Sequence, residues 1–216
     1  MTHLLGHALG IGLKKIEKNV GRIRWGYFKK SEKIGITCLV DVEGGSDLVP
    51  ITVWDAHDLT LVEFAKRCAD RVNKAKNKQD TTHNQTTAAG NFVPSHLLQP
   101  IMLILSYINI CLDLPIPPMG IRRNTHGHYI LTNVGTLGLS CGIAPLCPPM
   151  RSMGLTCCGT MKKVPVVVDG EVKIQQMMTT VSTADHRFGD AASFLPLQRA
   201  VQDYVADPAN FKWQVE

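Results

Sequence analysis

Asp185-His186-Arg187-Phe188-Gly189-Asp190-Ala191 joins a strand-like run to a helix-like one. A histidine at such a corner, four residues before an aspartate, has the residue types and spacing of a general base with a carboxylate behind it. The chemistry it suits is removal of a proton from a thiol or hydroxyl. The same spacing also arises as plain structure, with Asp190 capping the following helix. Other reactive residues are less organised. His126 and His128 flank a glycine but lack a third ligand. Seven cysteines, an odd number, form no C-x-x-C pair. They read as reduced thiols of an intracellular protein, packed as small core residues, and no metal site is expected. Cys157-Cys158 falls in a strand, where neighbours face opposite sides. The Gly44-Gly45 turn lacks the Lys-Ser/Thr that a phosphate loop needs.

These residues need a scaffold, and 216 residues are enough for one domain with a real core. With 44% hydrophobic and 19% charged residues the composition is globular. The net charge of +5 is concentrated at the start, where residues 1–30 carry seven Lys/Arg against Glu17. That segment reads as a helix with a basic face and a basic strand. It has no nucleic-acid module, so no nucleic-acid partner is expected. Leu97 to Leu112 is the strongest apolar run, but its 16 residues include Pro100 and fall short of the ~20 that span a bilayer. It reads as a buried or interface helix, and a membrane partner is not expected.

Apolar spacing predicts a helix over Thr2 to Lys18. Arg22 to Phe28 and Ile34 to Val42 read as a hairpin, Gly44 to Asp47 as a turn and Leu48 to Trp54 as a strand. The next helix is capped at Asp58 or Thr60, with Leu61, Phe64, Ala65, Cys68, Val72 and Ala75 on one stripe. Asn77 to Gly90 reads as a polar loop, and Pro115 to Pro118 as a stiff connector. Strands are expected at Tyr129–Val134, Met153–Thr160, Val164–Val168, Val172–Ile174 and Met177–Ala184, with a tight turn at Asp169-Gly170. The last helix ends near Ala206 and must start near Leu195 or kink at Pro196. This order implies an α/β sandwich with a mixed sheet.

The ordered set resembles the catalytic domain of the dihydrolipoyl acyltransferases of 2-oxo acid dehydrogenase complexes, relatives of chloramphenicol acetyltransferase. Asp185 to Asp190 matches the family's Asp-His-Arg-x-x-Asp, and Ala191 stands where the family has glycine. Thr132-Asn133-Val134-Gly135 occupies the place of its Ser-Asn-Leu-Gly segment, 54 residues before His186. Pro145 to Pro149 and Met153 to Leu155 are similar to its proline-rich loop and following strand. Val164 to Glu171 resembles its Pro-Val-Val-x-Asp-Gly hairpin, and Ile34 to Pro50 its Ile-Gly-Ile-Ala…Gly-Leu-x-x-Pro stretch.

The resemblance implies a two-layer, chloramphenicol acetyltransferase-like fold over residues 1–216, shortened at its N-terminus and carrying a divergent insertion at about 77–125. It implies a homotrimer, or a larger assembly of trimers, with sites between subunits. The implied reaction moves an acyl group between coenzyme A and a dihydrolipoyl thiol. His186 would be the base, Thr132 of a neighbouring subunit the oxyanion donor, and Asp190 a shaping residue. Asn133, Pro148 and Pro149 would border coenzyme A. With no lipoyl domain in the sequence, the lipoyl group would come in trans, on a lipoyl-domain protein or within a larger complex. The compartment would be the cytoplasm or the mitochondrial matrix. A positive φ at Ala191 would be strained. Two other readings stay open: a catalytically degenerate trimeric scaffold or accessory subunit, and an antibiotic-type acetyltransferase.

Overall fold

Two periodicities build the fold, an apolar helix spacing near the start and end of the chain and strand alternation between them. The computed structural model describes residues 1–41, 48–76, 94–117, 121 and 126–209. The predicted turn at Gly44 to Asp47, the loop at Asn77 to Gly90 and much of the insertion lie outside the described residues. The elements are α1 (Thr2–Lys15), β1 (Gly21–Arg24), β2 (Tyr27–Lys30), β3 (Gly35–Asp41), β4 (Leu48–Trp54), α2 (Leu61–Lys76), α3 (Ser95–Ser106), β5 (Tyr129–Asn133), β6 (Gly154–Val168), β7 (Glu171–Ala184) and α4 (Ala191–Ala206).

The main sheet has the order β4-β3-β5-β6-β7. β3, β5 and β6 run parallel, while β4 and β7 pair antiparallel at the two edges. This is the expected two-layer α/β architecture with a mixed sheet. One face carries α1, α2 and α4 over Ile36, Cys38, Leu131 and Cys158. The opposite face presents Ile130, Leu155 and Cys157 to a loop layer that includes Ala144, Leu146 and Met150.

The expected hairpin between Arg22–Phe28 and Ile34–Val42 is different in the structure. β1 pairs with β2 in its own two-stranded sheet, and β3 pairs with β4 and β5. The cause is Trp25-Gly26, both at positive φ, which close a two-residue turn whose twist suits an immediate reversal. Asp169-Gly170 forms the equivalent turn, as expected, and the short strands on either side merge into the long pair β6–β7. α1 stops at Lys15 and a single 3-10 turn, Glu17–Asn19, follows. Its middle is buried all round, not on one stripe, because it lies between α2 and α4. A Cβ on Gly12 would fall 2.9 Å from the Leu197 carbonyl oxygen of α4.

α2 begins with a reciprocal cap. The Glu63 carboxylate accepts from the Thr60 N–H, and the Thr60 hydroxyl accepts from the Glu63 N–H. α4 starts at Ala191, earlier than Pro196 suggested. The Asp190 carboxylate accepts from the Ser193 N–H, and Pro196 is carried inside the helix on its exposed side. Ala191 is the first helical residue and has no positive φ, so the strain expected there does not arise.

Three histidines are held neutral by this packing. His7 Nε2 must donate to the Leu59 carbonyl at 2.7 Å, so its Nδ1 accepts from the Tyr204 hydroxyl at 2.8 Å. His128 Nδ1 accepts from the Gly35 N–H at 3.1 Å, which leaves Nε2–H for the Ser31 hydroxyl at 2.7 Å. Burial pushes His7 below its usual pKa and His128 well below it, and burial together with the Arg22 charge lowers His126 to about 4. The unfolded chain takes up protons at these rings near pH 6.5 and the folded one does so only lower. Stability is therefore expected to fall as pH drops from about 6.5 toward about 4. Urea unfolding midpoints across that window measure it, and a flat profile contradicts the neutral assignment. Tyr204→Phe is expected to cost about 1 kcal/mol through the lost His7 bond.

Candidate functional site

His186 sits in the turn between β7 and α4. Backbone bonds hold that turn: Asp185 N–H donates to the Met153 carbonyl at 2.9 Å and Phe188 N–H to the Asp185 carbonyl at 3.0 Å. Asn19 adds an amide donation to the Phe188 carbonyl at 2.7 Å. Phe188 is buried, edge-on to Phe28 with ring centroids 6.0 Å apart. Arg187 forks onto the Asp185 carboxylate, its closest contact 2.6 Å, and this hydrogen-bonded pairing holds the carboxyl below its usual pKa. The His186 ring is exposed and makes no hydrogen bond to any described residue. An exposed imidazole on a well-held turn is the result.

Thr132 lies elsewhere. It is the penultimate residue of β5, half-buried, paired in register with Cys157, and its carbonyl accepts the Cys158 thiol at 3.5 Å. Because β7 runs antiparallel to β6, the chain leaves β7 at Ala184, opposite Gly154 and at the other end of the parallel strands from Thr132. Three residues at ~3.3 Å and two strand spacings of ~4.8 Å put Thr132 and Ala184 on the order of 14 Å apart. Within one chain the two residues do not meet.

Asp190 is spoken for. Its carboxylate accepts from the N–H and hydroxyl of Ser193 at 2.9 and 2.7 Å, and these bonds lower its pKa. Asn133 is equally committed, accepting from the Gly135 N–H and donating to the Thr2 hydroxyl. Pro148 opens a short helical turn, Pro148–Met150, and Pro149 is its second residue. Of these three residues expected to border coenzyme A, Pro148 lines a cavity along the His186 turn. No group of three metal-ligating side chains occurs among the described residues.

That cavity is a groove of about 750 Å³ along the His186 turn, and Asp185 and Arg187, on either side of the histidine, both line it. α3 forms part of its wall, continuing past Ser106 as a wider turn through Tyr107–Cys111, where Leu112 N–H reaches the Tyr107 carbonyl at 3.1 Å. This i→i+5 widening is a common functional-site feature. Leu97, Leu98, Met102 and Ile104 of α3 are exposed while Ser106, Asn109, Ile110 and Cys111 are buried, so the apolar run expected to be a buried or interface helix is buried only at its C-terminal end.

Two arginines that the sequence did not single out organise this corner. Arg151, at positive φ, donates to the Ser106 hydroxyl and the Leu103 carbonyl, both at 3.1 Å, and lies 5.0 Å over the Tyr107 ring. The Tyr107 hydroxyl accepts from the Trp25 N–H at 3.0 Å, which ties the β1–β2 turn to α3. Arg22 is buried and donates to the carbonyls of Arg151, His126 and Gly127 at 2.9, 2.6 and 3.0 Å. Burial lowers its pKa to about 10, so it stays charged at neutral pH. No sequence pattern marks such a residue, because its partners are backbone atoms of distant loops.

Residues 122–212 match the family model of 2-oxoacid dehydrogenases acyltransferase (catalytic domain). A 93-residue stretch is 30% identical to a probable mitochondrial dihydrolipoyllysine-residue succinyltransferase component of the 2-oxoglutarate dehydrogenase complex of Schizosaccharomyces pombe, and it covers 43% of the chain. The chain spans about one fifth of that relative, 20% of its length. Among solved structures, a probable dihydrolipoamide acetyltransferase of Listeria monocytogenes superimposes with a TM-score of 0.67 at 13% identity, covering 98% of this chain and 72% of that one. The dihydrolipoamide acetyltransferase of Azotobacter vinelandii, in which the catalytic roles of a serine, a histidine and an asparagine were investigated, gives 0.62 at 15% identity, covering 96% and 68%.

Arg22→Leu leaves three buried carbonyls unpaired and is expected to cost about 3 kcal/mol or more. Arg22→Lys cannot fork onto all three and should fall between it and the wild type. Urea unfolding of the two variants checks the order.

Proposed function

We propose that this chain, whose residues 122–212 match the 2-oxoacid dehydrogenases acyltransferase family model, moves an acyl group between coenzyme A and a thiol of the dihydrolipoyl type. The observation that carries the reading is His186, on a rigid turn with its ring open to solvent, inside the segment that matches the family. An attacking thiol with a pKa near 8.5 is mostly protonated at neutral pH, so a nearby base speeds attack. His186 takes that proton as sulfur adds to the thioester carbonyl and returns it to the departing sulfur as the intermediate collapses.

The oxyanion needs a donor, and the Thr132 hydroxyl supplies one only from a second copy, because the sheet holds the two residues apart in one chain. This supports a homotrimer, or an assembly of trimers, with each site shared between neighbours. Asp190 acts through the backbone, fixing the start of α4 and with it the His186 turn. The lipoyl group comes from a partner lipoyl-domain protein, and the mitochondrial matrix is the compartment we favour, in line with the S. pombe relative. A scaffold reading has one observation in its favour. The outer half of the β6–β7 pair projects with Val167, Val172 and Ile174 exposed, an arm suited to assembly with or without catalysis.

Acetyl transfer from acetyl-coenzyme A to dihydrolipoamide decides between them. His186→Ala should abolish turnover, and Thr132→Val should lower kcat about 100- to 1,000-fold while Thr132→Ser keeps it. Mixing and reassembling the two inactive variants should restore part of the activity, since some sites then pair an intact His186 with an intact Thr132. An active His186→Ala variant removes the acyltransferase reading, and a folded but inactive wild type favours the scaffold.

A further inference from the structure

The groove along the His186 turn, lined by Asp185, Arg187 and Phe188 of that turn and not by His186 itself, is larger than an acetyl or succinyl group needs. Its volume of about 750 Å³ falls in the range of ~300–1,000 Å³ that holds drug-sized ligands. Ile23, Trp25, Ile104, Ile108, Leu146 and Phe188 give it an apolar lining drawn from β1, α3, the proline loop and the His186 turn. Its two cations are already engaged: Arg187 is forked onto Asp185, and Arg151 holds the end of α3. Arg187 is thus neutralised by Asp185, while Arg151 donates to a neutral hydroxyl and a neutral carbonyl and lies over the Tyr107 ring. Apolar walls with a paired-ion rim beside the base suit an uncharged hydrocarbon tail.

We infer that this groove binds the tail of a medium- or long-chain acyl thioester, about eight to sixteen carbons. The inference rests on the acyltransferase reading for its chemistry. The acceptor sulfur bonds to the acyl carbon, the bond from that carbon to the coenzyme A sulfur breaks, and the proton held by His186 passes to the released thiolate. No oxidant or reductant is consumed. The widened turn of α3 fits this role, because Tyr107, Ile108 and Cys111 all come from it and all line the groove.

The test pairs kinetics with binding. For acetyl-, octanoyl-, dodecanoyl- and palmitoyl-coenzyme A, kcat/KM should rise with chain length, by up to about fourfold per methylene, until the groove is full. Ile104 is 60% exposed, so Ile104→Trp fills space without disturbing the core. It should lower the dodecanoyl-to-acetyl ratio of kcat/KM at least tenfold. Calorimetric titration of dodecanoyl-coenzyme A should show the same loss of affinity in that variant. Tight, Ile104-dependent binding with no turnover would keep the groove assignment and remove the acyltransferase reading. Affinity independent of chain length, or insensitive to Ile104→Trp, would overturn the inference. A variant that changes sedimentation while chain-length dependence stays flat would make the groove a contact between copies and would overturn it too.

Discussion

A buried guanidinium with three backbone carbonyls around it holds the functional corner together. Arg22 rises from β1 and gathers the carbonyls of His126 and Gly127, just before β5, and of Arg151, just before β6. Burying a cation away from water is expensive unless its donors are satisfied, so the cost is recovered only when both loops close on it. Arg151 is then fixed, and its own guanidinium secures α3 through Ser106 and Leu103. The groove wall thus depends on a charge in the smaller sheet, far away in the sequence.

Sheet polarity is the second constraint. Parallel β5 and β6 point Thr132 toward one end, while antiparallel β7 delivers His186 to the other. No side-chain rotation crosses that distance. The proposed chemistry therefore requires a neighbour, and the fold leaves a surface for one in the projecting β6–β7 arm. A close crossing keeps the Thr132 end in place. Where β6 bulges after Cys158, a Cβ on Gly159 would fall against the Ser140 carbonyl, so the loop layer can lie directly on the strand. The Thr160 N–H bond to Leu139 at 2.9 Å completes that contact.

Neutral histidines and a charged arginine share this interior without conflict. Burial, and after it the Arg22 charge, holds His126 and His128 below the usual histidine range. His186 is exposed by contrast, on a turn secured by Asp185, Phe188 and Asp190 together with the Asn19 amide and the Met153 carbonyl. Rigidity comes from the flanking residues, and the ring is left to its surroundings.

Local chemistry was legible in the sequence wherever the deciding atoms are close along the chain. The Thr60–Glu63 cap, the Asp169-Gly170 turn, the strand into His186 and the Asp190 cap are all short-range devices, and each could be read from residue type and spacing. The family motifs are of the same kind, which is why His186, Thr132 and Asp190 stood out. Trp25-Gly26 was missed because tryptophan is an unusual residue at positive φ, and the strand after it was paired with the wrong partner. Arg22 and Arg151 were invisible because they bind carbonyls, which every residue has. The exposure of α3 and the separation of Thr132 from His186 were also beyond the sequence. Both follow from strand order and direction, which are settled by which faces are buried together and not by any neighbouring residues.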